Sequence, residues 1–424
     1  MTKRIHIDQL RSGMYVIGLD KSWWQTPFFS HKWTVRGPED IAKLREAGVS
    51  AVDIDPTQGV DIEVAASSMM KSLAIDPEER EPADQPQSST AAKTRPTSPP
   101  ATLQPLITGI SAAMPAARAT RKEALAILEG IFDSVKINKS IDSPAVKYAV
   151  SSLLATILHR PEASLILTQL QRFEADLLTH SIDVCVVSLV IGKQQGLSEE
   201  QLETLGIGAM LHDIGKTRLP RNLLRKSSGY NLQAQKLLHE HPRLGVSLLF
   251  PNKEIGTEVL RIIAEHHEHA DGSGFPEGCT AAELSPLSQI VSIVNLYDGF
   301  VSGHGGQIAH LPTQALRRLY KMGQTGELLS EQVAWAIRTL GVYPVGTVVE
   351  LNTGERGIIV ATKADESLKP TVYVVCNPQG QPLAEPRLVD LLTPAPDESV
   401  QLITRPLEAK AIPFSLTDYF QDVT

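Results

Sequence analysis

The stretch Leu211-His212-Asp213-Ile214-Gly215-Lys216 lies near the middle of the chain, and three further histidine-bearing segments stand before and after it. A histidine followed directly by an aspartate offers one neutral imidazole and one carboxylate that can bridge two cations. Lys216 follows Asp213 at the i+3 spacing and His212 at the i+4 spacing, which places its ammonium on their face of a helical turn. The stretch therefore predicts the centre of a metal site, with a fixed cation that suits an anionic substrate such as a phosphate ester.

Histidines are concentrated around this stretch, since ten of the twelve lie between residues 159 and 310. A single histidine on an apolar helical stripe is more often a core residue than a ligand. The presence of several other histidine-bearing segments favours ligands here. The candidate ligands are histidines and carboxylates without a thiolate, which favours iron or manganese and leaves zinc open. They are more numerous than the four ligands of one tetrahedral site, which predicts two divalent metals. Paired metals suit the in-line displacement of a phosphoryl group. The further candidates are His180 with Asp176 one turn before it, His241 in a His-Pro-Arg-Leu-Gly run, and His266-His267-Glu268; His159, His239, His269 and His310 fit no ligand pattern and are predicted to lie at the surface.

Length, charge and cysteine content exclude several classes to which this protein could belong. A chain of 424 residues exceeds one ordinary domain, and a net charge of −8 argues against a protein that wraps a nucleic acid polymer. The three cysteines are far apart, so neither a disulfide framework nor a thiolate zinc site is indicated. The longest apolar stretch, around residues 184–191, is much shorter than the roughly 20 residues that a membrane span needs. We expect a soluble, cytoplasmic, multidomain protein.

Composition and periodicity divide the chain into five segments. The first contains predicted strands at 3–7 and 15–19, a helix at 38–47 and a strand at 49–54, with a tryptophan-rich loop that we interpret as an aromatic plug. The second is rich in proline and polar residues and lacks apolar periodicity. The predicted segments are a small α+β module (1–70), a disordered linker (71–113), an all-α metal-binding domain (114–341), a small β unit (342–395) and a C-terminal tail (396–424).

Helix signals are clear in the third segment. Apolar residues at helical spacing mark 124–135, Ser143-Pro144 opens a second helix, and a third carries residues 173–187. A capping-box pattern begins at Ser198, and a last helix is predicted over 330–341. Strands are predicted at 347–351, 357–360 and 371–375. The candidate ligands therefore belong to helices, and we assign packing or regulation to the β unit.

Three motifs are informative in combination: His212-Asp213-Ile214-Gly215-Lys216, His266-His267-Glu268 and Asp271-Gly272-Ser273-Gly274-Phe275-Pro276. Together they resemble the HD-GYP family of bacterial cyclic di-GMP phosphodiesterases, and the similarity covers roughly residues 120–340. Residues 1–70 also resemble the uncharacterised module that often precedes this domain. The resemblance implies an HD-type helical fold with a binuclear metal centre. It also implies hydrolysis of cyclic di-GMP to pGpG, and leaves open whether the reaction ends there or goes on to GMP.

The resemblance also implies roles for individual residues. The metal ligands would be His180, His212, Asp213, His241, His266 and His267, with Asp213 bridging. Lys216 would act beside Asp213 in catalysis by contacting the substrate phosphate. Gly274, Phe275 and Pro276 would form the substrate-binding loop, in which phenylalanine replaces the tyrosine of the family. Asp176 takes the position of a glutamate ligand in members that have a larger metal cluster.

Two departures from the family pattern leave alternatives open. Asn295 stands where the family has an aspartate ligand, and Asp298, one turn later, is the other candidate for that position. The stretch 302–307 lacks the arginine and lysine that grip the substrate in the family. An alternative function is therefore a degenerate domain that binds metal or nucleotide and signals to a protein partner through the N-terminal module or the Gly-Phe-Pro loop. A third is an HD-group phosphohydrolase that acts on another nucleotide.

Overall fold

The computed structural model describes residues 3–19, 33–35, 37–46, 49–57, 104–170, 177–224, 230–303, 308–362, 368–393 and 401–413. The chain divides into two compact units, Met1–Ile75 and Asp76–Thr424. Residues 71–103 of the predicted linker and the tryptophan-rich loop at 23–29 lie outside the described residues.

The first unit is a small antiparallel sheet with one helix. Its sheet has the order β1-β4-β2-β3, and buried side chains such as Met14, Val16 and Leu44 form its core. The predicted α+β module is confirmed; the additional short strand β3 was not predicted. The elements are β1 (Lys3–His6), β2 (Tyr15–Leu19), β3 (Trp33–Thr34), α1 (Pro38–Glu46) and β4 (Ala51–Ile54).

The second unit begins with a helix of 33 residues, α2 (Gln104–Lys136). Residues 104–113, which we assigned to the linker, are therefore helical. The proline count misled that prediction, because Pro105 stands in the first turn of the helix, where a missing N–H is tolerated. Ile107 and Ile110 are buried at the i, i+3 spacing of one helical face. The helical domain starts ten residues earlier than the sequence indicated.

Eleven further helices complete the helical domain within the described residues. The predicted starts are confirmed at Ser143, where Asp142 caps the helix, and at Ser198, which forms the predicted capping box with Gln201. The helix α4 was not predicted as a separate element. The helices are α3 (Ser143–His159), α4 (Pro161–Leu170), α5 (Leu177–Gln194), α6 (Glu199–Leu211), α7 (Arg221–Leu224), α8 (Leu232–His239), α9 (His241–Leu249), α10 (Thr257–Glu265), α11 (Pro286–Ser302), α12 (Pro312–Thr325) and α13 (Ser330–Leu340), with a 3₁₀ turn at Ile214–Arg218 between α6 and α7.

The central helix α5 is mostly apolar and is buried on every side along most of its length. By length and composition it could cross a membrane, but 78% of it is buried inside the fold. A helix that is hydrophobic all round is typical of the core of a large domain. The helices α6 and α11 pack against it, and α6 also packs against α10.

The β unit is a five-stranded antiparallel sheet with the order β8-β7-β6-β5-β9. Its last strand lies in the segment that we predicted as a C-terminal tail, and it pairs with β5 from Val348↔Leu407 to Leu351↔Ile403. The sequence signal was weak because this edge strand contains Pro406 and is partly exposed, so that it lacks regular alternation. The strands are β5 (Val348–Leu351), β6 (Arg356–Ala361), β7 (Thr371–Cys376), β8 (Pro382–Asp390) and β9 (Ile403–Leu407).

Candidate metal centre

Three predicted ligand histidines are oriented by the ends of helices. Each donates its Nδ1–H to the backbone carbonyl three residues earlier, at a helix end where carbonyl groups lack intrahelical partners. The bonds run from His212 to Ala209 (2.7 Å), from His241 to Leu238 (2.6 Å) and from His266 to Ile263 (2.8 Å). Because Nδ1 carries the proton in a neutral imidazole, each Nε2 presents a lone pair.

These lone pairs converge on the carboxylate of Asp213. Its Oδ1 lies 3.1 Å from Nε2 of His241 and 3.7 Å from that of His266. Its Oδ2 lies 3.4 Å from Nε2 of His212 and 3.9 Å from that of His180. Among the described residues, neither Nε2 of His212 nor Oδ1 of Asp213 has a hydrogen-bond partner, although both are buried. Buried lone pairs that face one another are costly unless a cation lies between them, so this donor set fits a metal.

The donors form two groups that share one residue. Asp213, His241, His266 and His267 make one group, and His180, His212 and Asp213 make the other. Within each group the ligand atoms lie within 4.8 Å of one another. Imidazole and carboxylate donors suit divalent iron, manganese or zinc, and a shared carboxylate suits a bridging position. The predicted histidines and Asp213 are thus brought together as a set that fits two cations.

Packing between backbone segments makes this convergence feasible. Gly215, in the 3₁₀ turn after Asp213, lies against the start of α9, and a Cβ atom there would clash with the carbonyl oxygen of His241. The absence of a side chain lets the two ligand-bearing segments approach. The glycine of the His-Asp-Ile-Gly-Lys motif is therefore a structural requirement of the site.

Burial and neighbouring charges set the protonation states of the donors. Burial alone would raise the pKa of Asp213, but the ammonium of Lys216 and the ring of His212 outweigh it and hold that pKa well below its ordinary value. Burial lowers the pKa of His266 to about 3 and also lowers the pKa of His241 and His267. The carboxylate is therefore charged and these three imidazoles are neutral at neutral pH, which is the state that binds a metal.

Lys216 lies at the edge of the centre. Its Nζ donates a hydrogen bond of 2.5 Å to Oδ2 of Asp213, and its side chain remains 19% exposed. The i+3 spacing places the ammonium on the carboxylate, as the sequence predicted.

His180 is held between two residues of α11. Its Nδ1 contacts Oδ2 of Asp298 at 2.6 Å, and its Nε2 lies 3.0 Å from Oδ1 of Asn295. Burial works to lower the pKa of His180, but the contact with Asp298 and the charge of Asp213 outweigh it and raise that pKa. Since Nε2 is the nitrogen that faces Asp213, Asn295 lies on the side of the metal centre and Asp298 on the far side. The carbonyl oxygen of Asn295 is thus available as a ligand.

The Gly274-Phe275-Pro276 loop is folded back onto the site. Glu268, which is buried directly after His267, accepts hydrogen bonds from the backbone N–H groups of Glu277 (2.7 Å), Gly278 (3.2 Å) and Cys279 (3.0 Å). Arg243 donates to the carbonyl oxygen of Pro276 at 3.1 Å. A Cβ atom at Gly274 would clash with the backbone of Glu268 and His269. The anchoring role of Glu268 was not predicted, because only its neighbours matched a ligand pattern.

Two features that the sequence predicts at the centre lie outside the residues that the structure describes. They are Asp176 and the stretch 304–307, which includes the expected position of the basic clamp. His239 is exposed, as predicted, yet its ring stacks on Phe275 with centroids 3.8 Å apart. That contact had no sequence signal, because the two residues belong to different motifs.

Two family models match the chain. Residues 2–146 match a domain of unknown function (DUF3391), and residues 161–328 match the HD domain. The first match extends beyond the N-terminal unit through α2 and into α3.

The chain is also similar to named relatives and to a solved structure. The chain is 27% identical over 393 residues to the cyclic di-GMP phosphodiesterase PA4108 of Pseudomonas aeruginosa, covering 92% of this chain and 89% of that protein. It is 31% identical over 152 residues to the cyclic di-GMP phosphodiesterase response regulator RpfG of Xanthomonas campestris, covering 36% of this chain and 40% of that protein. Among solved structures it is similar to Bd1817, an HDG"Y"P protein from Bdellovibrio bacteriovorus, with 15% identity and a TM-score of 0.44 over 79% of this chain and 98% of that one.

Proposed function

Because residues 161–328 belong to the HD domain family and carry the motifs of its HD-GYP group, we propose that the protein is a metal-dependent phosphodiesterase that hydrolyses cyclic di-GMP. The observation that carries this proposal is the convergence of four imidazole Nε2 atoms on the carboxylate of Asp213. The similarity to a cyclic di-GMP phosphodiesterase over 92% of the chain supports the substrate class.

Each residue of the centre has a role in this proposal. Asp213, His241, His266 and His267 would hold one divalent ion, and Asp213, His180, His212 and Asn295 would hold a second, with iron or manganese favoured. Bound divalent ions supply Lewis-acid activation of water and charge neutralisation at the phosphate. Asp213 bridges the two groups, and Lys216, at the open edge, binds a phosphate oxygen with its ammonium. The Gly-Phe-Pro loop borders the substrate. The products are pGpG and, after a second hydrolysis, GMP.

The alternatives make different predictions about the same centre. A degenerate binding module would keep nucleotide affinity without turnover, and a phosphohydrolase of another specificity would prefer a different nucleotide. Among the described candidate ligands, only Asn295 departs from the family pattern, and its oxygen faces the site, which favours the enzyme. The three cysteines are free in the structure, which suits the cytoplasm, where cyclic di-GMP signals would be degraded.

The first experiment removes the shared carboxylate. In Asp213→Ala we expect loss of bound metal and at least a thousandfold loss of cyclic di-GMP hydrolysis, while the helical circular-dichroism signal is retained. The measurements are elemental analysis of anaerobically purified protein and turnover of cyclic di-GMP, 3′3′-cGAMP and linear dinucleotides. Asp133→Ala, which removes an exposed carboxylate of α2, is the matched control and should keep both metal and activity.

Three outcomes would contradict parts of the proposal. Full metal content in Asp213→Ala would remove the bridging role of the carboxylate. A wild-type chain that retains its metals but binds cyclic di-GMP without turnover would favour the binding module, and a preference for another nucleotide would favour the third reading.

A further inference from the structure

The five candidate ligand histidines are not oriented in the same way. His212, His241 and His266 are fixed by backbone carbonyls, and His180 is fixed by Asp298. No residue in the described part of the chain forms a hydrogen bond with either ring nitrogen of His267. A ligand imidazole is normally fixed by a hydrogen bond at its other nitrogen, because rotation of the ring moves the lone pair away from the metal. His267 therefore needs another means of orientation.

The ring of Phe275 lies against the ring of His267. The centroids are 4.4 Å apart and the planes differ by 21°. The ring of His239 lies 3.8 Å from that of Phe275, with planes that differ by 5°. Two rings that are nearly parallel to a third at these distances cannot occupy the same face of it. Phe275 is therefore sandwiched between His239 and His267.

The loop that carries Phe275 is fixed independently of the stack. The backbone N–H of Phe275 donates to the carbonyl oxygen of His267 at 3.2 Å, and Glu268 and Arg243 hold the residues that follow it. The aromatic face is thus presented to His267 by a rigid support. An imidazole packed against such a face loses its freedom to rotate, because rotation would drive its edge into the neighbouring ring.

We propose that Phe275, backed by His239, is the positioning residue for His267 and replaces the hydrogen bond that orients each of the other candidate ligands. This inference rests on the metal centre of the proposed function. It requires the aromatic ring and not a hydroxyl group, which explains how phenylalanine serves where the family has tyrosine. It also gives His239, which belongs to none of the ligand motifs, a role in metal binding through Phe275.

The test is a titration of the metal-free full-length chain with Co²⁺, followed by visible absorption, which reports the ligand field of each bound ion. The wild type should bind two equivalents. In Phe275→Leu, which keeps an apolar side chain but removes the ring, one equivalent should bind about tenfold more weakly while the other is unchanged. In His239→Leu the same equivalent should weaken by a smaller factor, about threefold.

Conservative variants serve as matched controls. Phe275→Tyr and His239→Phe preserve the stack and should bind both equivalents with wild-type affinity. The proposal is overturned if Phe275→Leu binds both equivalents like the wild type. It is also overturned if both equivalents weaken equally and the metal-free protein melts at a lower temperature, since the ring would then only support the loop. Because the titration measures metal and not turnover, its failure is distinguishable from failure of the phosphodiesterase assay.

Discussion

Asn295 and Asp298 lie about one turn apart on α11 and contact opposite nitrogens of the same imidazole, that of His180. Asp298 is the carboxylate of a carboxylate–histidine pair, which fixes the ring and strengthens it as a donor. Asn295 has its oxygen at the nitrogen that faces Asp213. The sequence left these two residues as alternative candidates for one ligand position, and the geometry gives them different positions relative to His180.

The variant Asn295→Asp tests this separation. The substitution adds a negative charge beside the proposed cations at almost unchanged volume, so we expect metal affinity at the His180 group to increase about tenfold or more. Without metal, the added carboxylate and that of Asp213 face the same nitrogen of His180, so the two negative charges repel and the melting temperature of the metal-free protein should fall. Metal titration and thermal unfolding with and without metal measure both effects.

Asp298→Asn is the complementary variant. It keeps the shape of the side chain and weakens the hold on His180, so we expect about tenfold lower metal affinity at the same group. If Asn295→Asp leaves the affinity unchanged while Asp298→Asn abolishes metal binding, Asp298 is the ligand and the assignment of Asn295 is wrong.

At the residue scale, the sequence identified those site residues that belong to short motifs. His212-Asp213 and His266-His267 were identified because ligand types recur at short intervals, and Gly274-Phe275-Pro276 was identified through the resemblance to the HD-GYP family. The supports of these residues were missed. Asp298, for example, contacts His180 from 118 positions away, and such a contact follows from how helices pack and not from any local pattern.

A buried ion pair joins two long helices of the helical domain. Arg121 of α2 contacts Asp183 of α5 at 2.7 Å, and both side chains are only 4% exposed. Asp183 lies one turn after His180 on the same helix, so the pair fixes the helix that carries this candidate ligand. The ion pair thus couples α2 to the helix that carries His180.

Removal of one partner of this pair should be costly. In Arg121→Met the carboxylate of Asp183 stays buried with its main cation removed, and we expect a loss of about 3–5 kcal/mol in the free energy of unfolding. The double variant Arg121→Met/Asp183→Leu should lose clearly less, because no uncompensated charge remains. Denaturant unfolding followed by circular dichroism measures both.

The control for this pair lies on the same helix. Lys136 and Asp133 form an exposed pair at 2.7 Å, and Lys136→Met should change stability by about 1 kcal/mol at most. A loss in Arg121→Met no larger than that of Lys136→Met would show that the buried pair does not hold α2 and α5 together.

Helix starts were predictable from the sequence where a capping residue or a proline marks them. The capping box at Ser198 and the proline after Ser143 located helix starts to the residue. The start of α2 was predicted wrongly because Pro105 was counted with the linker. The strand β9 was missed because it contains Pro406 and lacks regular apolar alternation. A proline in a first helical turn or on an edge strand is compatible with the element, and only the packing of the neighbouring residues reveals which case applies.

At the scale of the whole molecule, the boundary between linker and helical domain decides which fragment folds alone. The match to the domain of unknown function runs from residue 2 to residue 146 and so crosses from the N-terminal unit into α2 and α3. The compact units divide instead after Ile75. The buried residues at the start of α2, Ile107 and Ile110, indicate that the helical domain needs the chain from residue 104 onwards.

A pair of truncations tests this boundary. The fragment 104–424 keeps all of α2, and we expect it to be soluble, to retain its metals and to unfold cooperatively. The fragment 114–424 begins at the linker boundary that the sequence indicated and loses Ile107 and Ile110, which are 5% and 0% exposed. Removal of a buried isoleucine side chain costs about 2–5 kcal/mol, and whole domains are stable by only about 5–15 kcal/mol. The shorter fragment should therefore unfold at much lower denaturant concentration, or not fold.

A full-length variant separates the loss of these side chains from the effect of truncation. Ile107→Ala/Ile110→Ala in the intact chain should lower the stability of the helical domain toward that of the fragment 114–424, because both lack the same buried surface. Equal stability of the two fragments would show that residues 104–113 add nothing and would restore the boundary at residue 113. If instead the fragment 104–424 is insoluble while the full-length chain folds, the N-terminal unit is part of the same folding unit, as the extent of the family match would then imply.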